Sequence, residues 1–135
     1  NLGIVIGDKL RREQGKGILG KRIYEEILRE GTEKAIVDSI RLIEEINELK
    51  KSKNFHLIFV DAPIKERYER ALNRKRVTDN LSFEDFKKIE DRERYGHETL
   101  MKMQDCYDKA DFKIFNDKDL NDLHKQVNNI LKKVL

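Results

Sequence analysis

Hydrophobic positions recur at helical spacing from the start of the chain. Leu2, Val5, Ile6 and Leu10 fall on one side of a helix, and Gly15 and Gly17 interrupt it. Leu19, Ile23 and Ile27 form one face of a second helix, with Gly31 as its C-terminal stop. Ala35-Ile36-Val37-Asp38 is a short apolar run closed by a carboxylate and predicts a buried strand. Ile43, Ile46 and Leu49 mark the next helix. Residues 55–60 form a second apolar run, followed by Asp61-Ala62-Pro63. Pro63 suits the first turn of a helix, where a missing N–H leaves nothing unsatisfied, and Ile64, Tyr68, Ala71 and Leu72 give that helix an inner face.

Residues 74–80 carry turn and charge signals without apolar periodicity and read as a loop. Ser82 with Asp85 three positions on is a variant capping box, opening a helix through Phe83, Phe86 and Ile89 that Gly96 ends. A further helix is expected over about residues 99–110, and Phe112 to Phe115 predicts a third strand. Leu120, Leu123, Val127, Ile130, Leu131 and Val134 make the clearest amphipathic stripe of the chain. Strands alternating with helices predict an α/β fold, a parallel sheet covered on both faces.

Composition sharpens this picture. Of 135 residues, 38% are hydrophobic and 41% charged, well above the usual charged share of about a quarter. Such a chain must segregate thin apolar stripes from dense surface charge. The signs nearly cancel, to a net +3, and the apolar residues are periodic, which sets disorder aside. Lys and Arg are spread along the chain, and the longest basic cluster, Arg74-Lys75-Arg76, is too short for a nucleic-acid footprint. A single cysteine, Cys106, excludes an internal disulfide framework and suits a reducing, cytoplasmic compartment, where it would pack as a small hydrophobe. No apolar run approaches the ~20 residues of a membrane span, and no signal-peptide pattern opens the chain. The first residue is Asn1, so a piece of a longer protein is expected.

Two sets of side chains could carry chemistry. Asp38 ends a predicted strand, and ligands of open α/β sheets bind at the C-terminal edge of the strands. A carboxylate there can orient the water shell of Mg²⁺, with Arg41 three residues on to meet a phosphate. By spacing alone, an N-cap role for Asp38 is the stronger reading. Arg67, Arg70 and Arg74 line one side of a helix, with Arg76 beyond. Phosphoryl transfer needs such cations for positioning and charge stabilisation. Taken alone, a solvated face paired with Glu66 and Glu69 is the better reading. His56, His97 and His124 are scattered, with no metal-ligand spacing and no Cys-x-x-Cys to follow His97-Glu98. The six phenylalanines read as core. No Gly-x-x-x-x-Gly-Lys-Ser/Thr occurs, and the glycines between Gly3 and Gly20 have no strand before them to form a phosphate cradle.

Phe59-Val60-Asp61-Ala62-Pro63, followed by Glu69-Arg70-Ala71-Leu72-Asn73-Arg74, resembles the strand–helix–lid passage of dephospho-CoA kinases. The run Ala110 through Asp117, with Leu120 and Leu123 behind it, resembles their late strand and adenine loop. Gly7-Asp8-Lys9-Leu10-Arg11, Leu19-Gly20-Lys21-Arg22 and Val37-Asp38-Ser39-Ile40-Arg41 look like adenylate-kinase-like archaeal proteins and like the kinase-like segment of some deoxycytidylate deaminases, as does Gln104-Asp105-Cys106. The resemblance implies a three-layer α/β/α parallel sheet of P-loop kinase type, lacking the N-terminal P-loop strand and helix. It implies one domain over 1–135, with acceptor-binding helices over about 1–31, a core over 34–73 and 98–135, and a lid over about 74–97.

The same resemblance implies site roles. Asp38 matches the acidic end of the Walker B strand, a catalytic carboxylate that holds Mg²⁺ through water. Arg74, with Arg70 behind it, matches the lid arginines on the donor phosphates. Asn116 matches the adenine loop, and Arg11, Arg22 and Arg41 fall on the acceptor side. The implied function is an ATP- and Mg²⁺-dependent phosphotransferase acting on a nucleotide or dephospho-CoA, present without its P-loop and not expected to act alone. A non-catalytic nucleotide-sensing module, as in the deaminases, is the alternative. Partners would be the small-molecule substrate, with neither nucleic acid nor membrane. In the parent fold the P-loop strand lies between residues 35–38 and 55–60, so its loss would leave their peptide groups unpaired. Either the chain is a fragment, which is the expectation, or the remaining strands close the gap or self-associate.

Overall fold

The computed structural model describes residues 2–74, 81–96 and 102–135, with side chains from Ile6 onward. The expected loop over 75–80, Arg76, His97 and the start of the helix expected at residue 99 lie outside this set. The first two helices are α1 (Leu2–Gln14) and α2 (Ile18–Glu30). Gly31 ends α2 with φ 63° and ψ 28°, a left-handed stop open to a residue without Cβ. The third helix is α3 (Ile43–Leu49), and β1 follows at Ile58–Asp61. Then come α4 (Ile64–Asn73), α5 (Phe83–Tyr95), α6 (Met103–Lys109), β2 (Phe112–Phe115) and α7 (Leu120–Val134). The caps of α5 and α7 follow the sequence signals. Ser82 Oγ accepts from Asp85 N–H, and Asp119 Oδ1 accepts from Asp122 N–H. The Ser82 hydroxyl also donates to the Asp85 carboxylate, which with Lys88 holds that carboxyl below its ordinary range.

β1 and β2 pair in parallel, with Ile58 opposite Phe112 and Asp61 opposite Phe115. Among the described residues they form a two-stranded sheet. The expected strand over residues 35–38 does not form. That segment is irregular, Ile36 is 99% exposed, and Ser39 has φ 62°, which breaks an extended run. An apolar run becomes a strand only when a neighbour takes its peptide groups, and none adjoins it among the described residues. Asp38 therefore ends no strand. It does not cap α3 either, because Leu42 holds that position with no side-chain hydrogen bond.

The two edges of the sheet differ. On β2, the Gln126 carboxamide of α7 takes the place of a third strand: Phe115 N–H donates to its Oε1 at 3.1 Å, and its Nε2 donates to the Phe115 carbonyl at 2.8 Å. On β1, the Leu57 and Asp61 carbonyls bond toward the second strand. Ile58 and Val60 thus turn their peptide groups to the other edge, where no strand adjoins among the described residues. Their side chains are 40% and 57% exposed.

The core lies between α3, the entry to β1 and α6. Ile46, Leu57 and Cys106 are buried there, with Ile40, Ile43, Phe55, Phe59 and Ala110 against them. The phenylalanines only partly fulfil their expected core role: Phe59 lies edge-on to Tyr107, while Phe115 is 46% exposed. The helical layer is fixed by a close approach. A Cβ on Gly20 would sit 2.5 Å from the Glu45 carbonyl oxygen, so only glycine lets α2 lie on the backbone of α3. Beside this contact, Arg11 of α1 donates from Nε at 3.0 Å and Nη2 at 2.8 Å to Glu45 Oε1, and from Nη1 at 3.3 Å to Asp8. Arg11 and Glu45 are 7% and 1% exposed.

Two outcomes follow from this packing. Glu45→Ala strands the Arg11 charge and is expected to lower unfolding stability by about 3–5 kcal/mol, read as a fall in the urea midpoint. The double replacement Arg11→Met with Glu45→Leu should lose much less. The Cys106 thiol is pushed up from an ordinary value near 9 to about 11, first by burial and then by Glu45, Asp105 and Glu44. The folded state then holds the proton more tightly than the unfolded chain. Its contribution is complete below the unfolded value and falls as pH rises from about 9 to about 11. Urea titrations across that window should show a steeper loss for the native chain than for Cys106→Ala.

Candidate functional site

The C-terminal end of β1 gathers a dense polar cluster. Asp61 closes the strand, and its Oδ1 accepts from Ala62 N–H at 2.8 Å and from Arg67 Nη1 at 2.7 Å. The Ala62-Pro63 step starts α4 at once, so Arg67, on its first full turn, reaches back to the strand end. Arg67 Nη1 also donates to the Ala62 carbonyl. Its Nη2 meets Glu90 of α5 at 2.6 Å. Arg94, one turn further along α5, meets Asp61 Oδ2 at 3.3 Å and donates to Gln104 Oε1 at 2.9 Å. Its guanidinium lies 5.6 Å from the Tyr107 ring centre, whose ring also receives Lys113 Nζ at 3.9 Å. Across the rim, Asn116 N–H donates to the Asp61 carbonyl at 2.8 Å, which places the loop after β2 against the end of β1.

The residues singled out from the sequence occupy several places. Asn116 is at this rim. Arg41 precedes α3, meets Glu93 of α5 at 3.6 Å through its side chain, and donates its main-chain N–H to Glu45 Oε2 at 3.2 Å. Arg11 is buried on the other oxygen of the same carboxylate. Arg70 pairs with Glu66 at 2.8 Å on the exposed side of α4, and Arg74 stands exposed at its C-cap. Arg22 bonds Gln14 at 2.9 Å on α2 and lines a shallow groove of about 360 Å³ with Ile23, Ile27 and residues 35–37. Asp38 is exposed next to that groove. Among the described residues, no three His, Cys, Asp or Glu side chains gather as a metal site. No helix among them is long and apolar enough to cross a membrane.

No protein-family model matches the chain. A UPF0200 protein of Sulfurisphaera tokodaii is similar at 34% identity over 127 residues, covering 94% of this chain and 68% of that protein. The chain belongs to the UPF0200 family. A UPF0200 protein of Methanosarcina mazei is 32% identical over 138 positions, covering 100% of this chain and 70% of its own length. A UPF0200/UPF0201 protein of Archaeoglobus fulgidus is 33% identical over 139 positions, but this chain spans only 41% of it. These names give a family and state no reaction.

In this UPF0200 chain the rim is built mainly from residues that sequence reasoning passed over as site candidates: Asp61, Glu90, Arg94 and Gln104. Arg67 was visible among the helix cations, but its partner was not. One signal was available. Asp61 follows an apolar run and precedes the start of a helix, the same placement that drew attention to Asp38. Glu90, Glu93 and Arg94 carry no such signal, because α5 reads simply as an amphipathic helix and its docking is tertiary.

Asp61→Ala removes the acceptor for two guanidinium groups and an N–H, and is expected to lower stability by about 1–3 kcal/mol. Asp61→Asn, which keeps an oxygen for Ala62 N–H, should cost less. Thermal denaturation of both variants checks the order.

Proposed function

We propose that this UPF0200 chain is the acceptor-side, lid and adenine-loop portion of an ATP-dependent phosphotransferase acting on a nucleotide or on dephospho-CoA. The observation that carries the reading is the rim at the carboxyl ends of a parallel strand pair, where the Asn116 loop meets Asp61 beside Arg67 and Arg94. Ligands of open α/β sheets bind outside that end of the strands. Phosphoryl transfer works by positioning and charge stabilisation, which guanidinium groups supply. The ordered motifs from Asp38 to Asn116 support the same superfamily and a three-layer sheet in the whole protein.

In this reading Asp38 and Arg74 serve the transfer step, Arg70, Arg74 and Asn116 the donor nucleotide, and Arg22 and Arg41 the acceptor. Arg11 would act from behind them, by fixing the carboxylate that holds the Arg41 main chain. The described residues do not by themselves fit Mg²⁺ and ATP. Asp38 is a single exposed carboxylate on an irregular segment, and nothing beside it cradles a triphosphate. The phosphate cradle is therefore assigned to sequence outside these residues.

The test uses the protein together with whatever is encoded before Asn1. Its melting temperature is measured with ATP and Mg²⁺, alone and with dephospho-CoA or nucleoside monophosphates, and phosphate transfer is followed in parallel. The expected result is a rise in Tm with ATP and one acceptor class, and turnover that Arg74→Ala lowers by roughly 10²–10³-fold. No Walker A sequence upstream and no transfer would end the phosphotransferase reading. A nucleotide-dependent rise in Tm without transfer would favour a sensing module.

A further inference from the structure

The helix α5 is attached in two different ways along its length. None of its residues is buried. Its first turns rest on an aromatic contact: Phe83 and Phe86 lie 5.3 Å and 5.4 Å from the Tyr68 ring, whose hydroxyl donates to the Leu81 carbonyl at 2.8 Å. Its last turns present Ile89 and Tyr95 to solvent, 42% and 50% exposed. What docks those turns is polar: Glu90 on Arg67, Glu93 on Arg41, and Arg94 on Asp61, Gln104 and the face of Tyr107. The charged side chains in these pairs are between 14% and 36% exposed, so they are neither dry nor fully screened.

One donor in this set is unfilled. Arg67 Nε is buried without a hydrogen-bond partner, although Nη1 and Nη2 of the same group are engaged. Nε and Nη2 form the side edge of a guanidinium, the edge that grips two oxygens of a phosphate or carboxylate at once. Glu90 uses one half of that edge. An anion with two oxygens at the right spacing would use both.

We infer that α5 is an arm that pivots on Tyr68 and is latched by ion pairs, and that a polyphosphate anion unlatches it by displacing Glu90 from the side edge of Arg67. When α5 leaves, it carries Glu90, Glu93 and Arg94 with it. Arg67 and Arg41 stay on the body and lose the Glu90 and Glu93 carboxylates, while Asp61 loses Arg94, so these pairs go from balanced to one positive charge in excess. The latched state thus half-covers the Arg67 side edge that the released state offers whole to the anion. The inference does not depend on the phosphotransferase reading, because it concerns inorganic polyphosphate and the placement of one helix.

Amide hydrogen exchange of the whole chain tests it, with sodium tripolyphosphate compared against sodium chloride at equal ionic strength. Exchange over residues 89–95 should speed up about tenfold with tripolyphosphate and much less with chloride, while amides of α7 stay unchanged. Glu90→Gln should show the faster exchange without any anion. Arg67→Lys keeps a cation beside Asp61 but loses the two-pronged edge, and its response to tripolyphosphate should drop at least about fivefold. Equal effects of the two salts, a parallel loss of protection in α7, or an undiminished response in Arg67→Lys would each overturn the proposal.

Discussion

A single buried carboxylate organises the helical half of this molecule. Glu45 sits at the point where α2 touches α3, under the glycine that permits the contact, and both its oxygens are committed. One takes the Arg11 side chain from α1, and the other takes the main chain before α3 at Arg41. A charge at this depth is tolerated only because its partners converge, since an unmatched buried ion is far more costly than an absent one. The pair thereby fixes a relative placement of α1, α2 and α3 that apolar stripes alone would leave open to sliding.

The same carboxylate starts a continuous line of polar contacts through the protein. Arg41 joins Glu45 by its N–H and Glu93 by its side chain. From α5 the line returns through Glu90 to Arg67 and Asp61, and through Arg94 to Gln104 and Asp108. A chain with 41% charged residues has little apolar surface to spend on joining its parts. It uses matched charges at the joints, and its apolar core cluster centres on Ile46, Leu57 and Cys106.

Local features were legible in the sequence because local physics decides them. The caps at Ser82 and Gly31, the start of α4 after Pro63, the strand at Phe112 and the stripe of α7 all follow from period and capping chemistry. The strand expected at residues 35–38 failed for the opposite reason. Its apolar content is right, but strand formation needs a neighbour, and that is a property of the whole sheet. The site divided along the same line. Asn116 was marked by the resemblance of its loop to an adenine loop, whereas the joining of Glu90, Glu93 and Arg94 to partners on other elements is set by how α5 packs, which no spacing within α5 encodes.

The carboxamide of Gln126 gives the small sheet a polarity with consequences for assembly. Because it fills the outer hydrogen-bonding positions at Phe115, β2 is closed to any incoming backbone at that point. Among the described residues, the Ile58 and Val60 side is left open to another strand. A strand added there, from elsewhere in the protein or from another molecule, would extend the sheet on the β1 side while the Phe115 positions stay capped, so growth by backbone pairing is biased to one direction.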